Sequence, residues 1–143
     1  MTAPTETDLA WAAGLFDGEG TVGIYPSGKS GHRLAVEIGN SHLVTLERFV
    51  ELFGGRIYRI RSKRPQRQMY QWSITERTKG TDFLYAIHPY SVTKRRQIWL
   101  AAEWVALRPR RRPNRYRPLT PEERQIDQTF GFLLREAKKA EIE

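Results

Sequence analysis

Ten residues near the N-terminus, Trp11-Ala12-Ala13-Gly14-Leu15-Phe16-Asp17-Gly18-Glu19-Gly20, constrain this chain more than any other stretch. Leu9 to Phe16 is a short apolar run that reads as the end of a helix, and Gly18 and Gly20 stop that helix where Asp17 and Glu19 leave it. Two carboxylates then stand at a helix C-terminus, the negative end of the dipole, where they cost stability unless a cation sits beside them. Acids in so unfavourable a place point to function.

Composition narrows the partner. At 143 residues the chain is most simply one domain, burying roughly two-thirds of its unfolded surface. A net charge of +8 and a pI near 10.1 suit an anionic partner, nucleic acid first. The absence of cysteine excludes disulfides and thiolate metal sites, and His32, His42 and His88 lack the helical pairing of a zinc site. Residues 1–8 have neither a basic start nor an apolar core, and no apolar run approaches the roughly 18 residues of a membrane span. The expected location is cytoplasmic, in a prokaryotic or phage setting, or organellar, and not secreted.

Taken in order, the first helix starts after Thr5 or Thr7, either of which can cap it. Along it Ala10, Ala13, Gly14 and Asp17 fall at i, i+3, i+4 and i+7, a narrow face of small residues on which another backbone can approach closely. A hairpin follows, 21–25 and 32–38, joined by a turn of Pro, Ser, Gly and Lys. Val22, Ile24, Leu34, Val36 and Ile38 share one parity and form the core face; Gly23, Tyr25, Arg33, Ala35 and Glu37 take the other. After Asn40-Ser41-His42, Leu43, Leu46, Phe49, Val50 and Phe53 recur at helical spacing up to Gly54-Gly55.

The second hairpin spans 56–61 and 69–75 around a basic turn. Tyr70, Trp72 and Ile74 go to the core and Gln71 and Ser73 to the opposite face, while Ile57 and Ile60 fall on opposite parities, a conflict that a bulge or twisted end resolves. Residues 81–87 read as a short capped helix ended by His88-Pro89, and Val92 to Leu107 as a longer one with a basic start at Lys94-Arg95-Arg96. Residues 108–119 hold six arginines and three prolines and read as an extended linker or a strap against phosphates. Thr120-Pro121-Glu122-Glu123 is a capping box opening a C-terminal helix over 120–143, with Ile126, Phe130, Leu133 or Leu134 and Ala137 on its apolar side.

The run from Ala13 to Gly20 resembles, position by position, the signature of the LAGLIDADG homing endonucleases; Ala12 stands where that family usually has leucine. The resemblance implies an α+β fold of order αββαββα over residues 1–107, with helices on one face of a four-stranded antiparallel saddle sheet. It implies a site-specific double-strand DNA endonuclease that cuts across the minor groove and leaves 3′ overhangs. The alternative is a non-cleaving nucleic-acid binder of the same fold, such as an intron maturase. In such enzymes the last acid of the motif binds the catalytic metal. Here that acid is Glu19, with the Gly18 carbonyl as a second donor, and Asp17, Gly14 and Ala13 are structural. One motif per chain implies a homodimer through the helix at 8–17 and a long pseudo-palindromic DNA site.

Phosphodiester hydrolysis needs charge stabilisation at phosphorus, an activated water and help for the departing oxygen, which a hard cation with oxygen ligands can supply. Mg²⁺ is the expected cofactor, with Mn²⁺ or Ca²⁺ as a non-productive substitute. By the same resemblance Lys94 points into the active site, with Arg95 and Arg96 as competitors or phosphate contacts. Asn40 orders active-site water, and Val44 falls where relatives can have an arginine. For the DNA, Tyr25, Arg33, Glu37, Gln71 and Ser73 are candidates on the sheet face. Lys29, Arg59, Arg61, Arg64, Arg67 and Gln68 join them at turns and strand ends, reading a major groove that carries the full base code.

Overall fold

A computed structural model describes residues 3–27, 31–61, 67–108 and 118–142. Helix α1 spans Glu6–Glu19 and is followed without a loop by β1 (Gly20–Pro26), then β2 (His32–Asn40), α2 (Leu43–Phe53), β3 (Arg56–Ile60) and β4 (Met69–Ile74). Helix α3 (Arg77–Ile87), a 3-10 turn at His88–Tyr90, α4 (Arg95–Leu107) and α5 (Pro121–Ile142) complete the chain. The four strands form one antiparallel sheet in the order β1-β2-β4-β3. The α+β architecture and the αββαββα order are those expected.

The core lies between one face of the sheet and the helices. Val22, Ile24, Leu34, Val36, Ile38, Trp72 and Ile74 are buried there, as their parity requires. Phe49 stacks between Trp11 and Trp72 at centroid distances of 5.2 and 5.0 Å, and Phe83 packs on Trp72 at 5.1 Å and on Phe53 at 4.8 Å. Such pairs add about 0.5–1.5 kcal/mol each beyond their buried area. They fasten α1, α2 and α3 onto β4. The trailing α5 joins the same core through Phe130 and Leu134, with Leu133 only partly buried.

Several element boundaries differ from the sequence expectation for physical reasons. Thr5, not Thr7, caps α1: its hydroxyl accepts from the Asp8 amide (3.1 Å) while the Asp8 carboxylate accepts from the Thr5 amide (2.9 Å). Gly18 does not stop α1, which runs on to Glu19. Gly20 is required because a Cβ there would overlap the Phe16 ring; its φ of −82° makes no demand for glycine. Strand β3 pairs regularly with β4, Ile57 opposite Trp72 and Ile60 opposite Met69, so no bulge is present and Ile60 simply faces away from the core. Helix α3 begins four residues early, and Thr81 returns its hydroxyl to the Arg77 carbonyl (2.8 Å) instead of capping. Helix α4 begins three residues late, leaving Val92 82% exposed.

Two placements change more. Ala13 is fully buried against the core, so the exposed small-residue stripe on α1 is Ala10, Gly14 and Gly18, with open space where a Cβ on either glycine would point. Arg108, expected at the head of the arginine–proline arm, is buried at the end of α4 and bonded to α5. Residues 109–117 of that arm lie outside the described residues. The capping box of α5 is formed: the Glu123 amide donates to the Thr120 hydroxyl (3.1 Å), and the Thr120 amide to the Glu123 carboxylate (2.9 Å). Among the described residues no helix is long and apolar enough to cross a membrane.

Candidate metal site and nucleic-acid interface

The two acids of the motif have unlike surroundings. Asp17 reaches from the C-terminal turn of α1 to the segment that opens α4. Its carboxylate accepts four hydrogen bonds, from the Ser91 hydroxyl (2.5 Å) and from the amides of Val92 (2.7 Å), Lys94 (3.1 Å) and Thr93 (3.2 Å). Placed at the negative end of one helix, it is also at the positive end of another, which removes the electrostatic objection raised by the sequence. Burial pushes the Asp17 carboxyl up, but the bonds from Ser91, Val92, Lys94 and Thr93 outweigh it and hold the group below its ordinary 3.8.

Lys94 closes the same junction from the other side. Its ammonium donates to the Asp17 carbonyl at 2.8 Å, and the residue is 8% exposed. A cation at the C-terminus of α1 satisfies a carbonyl that the helix leaves unpaired. Lys94 is thereby held at Asp17, two residues before Glu19 in the chain. Arg95 and Arg96 stand exposed on the first turn of α4.

Glu19 ends α1 and is exposed. One of its oxygens accepts from the Asn40 side-chain amide at 2.6 Å. The Asn40 carbonyl oxygen accepts from the His42 amide at 2.8 Å, which orients the side chain so that its NH2 faces Glu19. Glu19 and Asn40, the last residues of α1 and β2, are thus brought together from opposite sides of the β1–β2 hairpin. Gly18 beside them is exposed. The donors available, carboxylate and backbone carbonyl oxygen, suit a hard cation. Among the described residues no group of three His, Cys, Asp or Glu side chains could hold a metal. Val44 is exposed on α2, leaving that position apolar.

The sheet face away from the helices carries Tyr25, Arg33, Glu37 and Gln71, as their parity requires, and also Arg56 and Tyr58 from β3. Glu37, Ser73 and Arg56 lie abreast across three strands. Ser73 in that row is only 6% exposed, so it is shielded by its neighbours and presents little to a groove. Arg59, expected at a strand end, pairs with Tyr70 near the end of β3, takes the helix-side parity and is exposed. Arg56 and Tyr58 are the sheet-face residues that sequence reasoning missed. Taking Ile57 rather than Ile60 as the partner of Trp72 was the signal that could have found them.

The Arg33 guanidinium lies 5.7 Å from the Tyr25 ring centre, and the Lys138 ammonium from α5 lies 5.6 Å from it. Arg61, Arg67 and Gln68 are exposed at the β3–β4 turn. The Gln68 amide is used internally, donating to the Met69 carbonyl at 2.9 Å. Lys29 and Arg64 lie outside the described residues.

No protein-family model matches the chain. Among solved structures, the homing endonuclease I-CvuI in complex with its target in the presence of calcium superposes with a TM-score of 0.69 at 16% identity, over 92% of this chain and 80% of that one. The LAGLIDADG meganuclease I-AabMI bound to uncleaved DNA does so with a TM-score of 0.58 at 23% identity, over 69% of this chain and 36% of that one. In sequence, the intron-encoded RNA maturase bI4 of Saccharomyces cerevisiae is 38% identical over 72 residues, 49% of this chain. The match spans 11% of the maturase's own length.

Proposed function

From the premise that the chain has the fold of the LAGLIDADG homing endonucleases, we propose that it is a site-specific DNA endonuclease. Two copies hydrolyse one phosphodiester on each strand of a pseudo-palindromic duplex and leave 3′ overhangs. The observation that carries this reading is the Glu19–Asn40 pair: an exposed carboxylate in the motif's last acidic position, oriented by an amide that is itself oriented. Glu19 and the Gly18 carbonyl would hold Mg²⁺, with Mn²⁺ or Ca²⁺ as a non-productive substitute, and the bound ion would supply Lewis acidity and an acidified water.

The chain's own residues do the rest. Asn40 keeps the Glu19 carboxylate aimed away from the core. Lys94, held at the Asp17 carbonyl, sets a positive charge near the reacting phosphate, where it steadies charge that develops as the water adds. One Glu19 per chain serves one strand, so two are needed. The open stripe of Ala10, Gly14 and Gly18 lets two α1 helices approach closely enough to bring both Glu19 residues together. Tyr25, Arg33, Glu37, Gln71, Arg56 and Tyr58 then face the major groove.

The test is cleavage of a duplex carrying the uninterrupted sequence that flanks the gene, in Mg²⁺. The native protein should cut both strands, and Glu19→Gln should bind the same duplex without cutting it. A second reading, an RNA maturase, is favoured by the match to bI4. It requires that the native protein bind the surrounding intron RNA and leave the duplex whole.

A further inference from the structure

We propose that Asp127, on α5, is a positioning residue for the β1–β2 hairpin and hence for the base contacts of Arg33 and Tyr25; the proposal rests on the DNA-binding reading above. Asp127 is 1% exposed and joins three elements. One of its oxygens accepts from the Arg108 Nε at 2.8 Å and from the Trp104 indole at 2.9 Å, both on the last turns of α4. The other lies 3.4 Å from the Nδ1 of His32, the first residue of β2, outside hydrogen-bond geometry.

The hairpin backbone is pressed onto this pair. Gly31 has φ +96°, and a Cβ there would meet the Arg108 guanidinium at 3.1 Å and the Asp127 carboxylate at 3.2 Å. Only glycine adopts that conformation and leaves that space. The same helix holds the hairpin a second time, where Lys138 donates to the Tyr25 hydroxyl at 3.4 Å. Arg33 follows His32 directly, so the first groove-facing side chain of β2 is one residue from the Asp127 contact.

Stability alone does not explain a buried carboxylate here. Phe130 and Leu134 already anchor α5 in the core, and apolar replacement of a buried ion pair is commonly neutral or stabilising. What the ionic pair adds is direction: Arg108 is also held by Glu123 at 2.9 Å, so Asp127 meets a cation that cannot swing. Base recognition tolerates misplacement of only about half an ångström. The C-terminal helix thus fixes the hairpin that reads the outer part of a site.

The experiment uses the full chain and two kinds of variant. Asp127→Asn removes the charge. The double variant Asp127→Leu with Arg108→Met replaces the pair by apolar groups and guards against a simple failure to fold. Leu134→Ala, in the same helix, is the control for general loosening. Hydrogen exchange is followed without DNA at the Ser27 amide, which donates to the Gly31 carbonyl at 2.6 Å, and at the amides of β4. Both Asp127 variants should exchange about tenfold faster at Ser27 than at the native rate with β4 unchanged, whereas Leu134→Ala should leave Ser27 and β4 moving together.

In selection from a randomised duplex library, the Asp127 variants should keep affinity within a few-fold and lose base preference at the outer positions. The proposal is overturned if the double variant keeps native exchange at Ser27, if Leu134→Ala raises Ser27 exchange as selectively as the Asp127 variants do, or if base preferences are unaltered. A native protein that selects no duplex removes the DNA reading instead, and the exchange data still decide the tie between α5 and the hairpin.

Discussion

Asp17 and Glu19 are two carboxylates one residue apart on the same helix end, and they are used in opposite ways. Asp17 is saturated: four donors from one segment converge on it. Glu19 has one partner among the described residues and stands in solvent. A saturated carboxylate has its lone pairs committed to the fold, while an unsaturated one keeps capacity for a ligand. The contrast divides the motif into a structural acid and a functional acid. It also says where each should fail when altered.

The largest effect expected is on chemistry at Glu19. Glu19→Gln keeps the shape and the contact with Asn40 but removes the anionic donor. Cleavage of the target duplex should fall by about 10³-fold or more, roughly 4 kcal/mol of transition-state stabilisation. The urea midpoint should stay near the native value. A variant that loses stability and keeps cleavage would reverse the two roles.

Asp17→Asn comes next, and its effect should be on stability. An asparagine at that site must turn its NH2 toward at least one of the Ser91, Val92, Thr93 and Lys94 donors, so a donor faces a donor. The loss should be about 2–3 kcal/mol, since bonds to a charged acceptor are the strong ones. Urea unfolding at pH 7 measures it, with the midpoint lowered and the slope unchanged.

The difference between the two acids was half legible in the sequence. Their place at a helix end was plain from the apolar run and the glycines. What Asp17 binds was not, because its partners lie more than seventy residues away and carry no local periodicity. The core parity of β1 and β2 was readable from strict alternation, and that of β3 was not, since Ile57 and Ile60 compete and only pairing with Trp72 decides between them. Helix α3 begins with Arg77-Thr78-Lys79, a polar turn with no apolar signal. Ala13 was misplaced because small residues at helical spacing serve a core and an interface equally well. Arg108 was hidden by its arginine-rich neighbours, although its partner Asp127 is buried nineteen residues on.

Asn40→Ala sharpens the comparison from the side of Glu19's single partner. Without that amide the carboxylate keeps its charge and loses its orientation. Cleavage should fall by about 10–100-fold, the usual consequence of removing a group that aims a metal-binding side chain. Binding to the duplex in Ca²⁺ should change little. An unchanged cleavage rate would mean that the helix end alone aims Glu19.

The smallest effect expected is the acid limb of stability, and here Asp17 is again the residue that responds. Its folded-state carboxyl lies below the ordinary 3.8 because the hydrogen bonds outweigh burial. The folded protein therefore binds fewer protons than the unfolded chain across that range, and stability rises with pH there. The contribution is complete above pH 3.8 and is lost as pH falls through the lowered native value. Asp8 behaves with the same sign, since the Thr5 hydrogen bonds and then Arg48 hold its carboxyl down, so native protein alone does not separate the two. Asp17→Asn does: the gap between native and variant urea midpoints should be constant from pH 7 to about 5 and should narrow below pH 4. A gap that stays constant to pH 2.5 would mean that the four bonds recognise the shape of the side chain and not its charge.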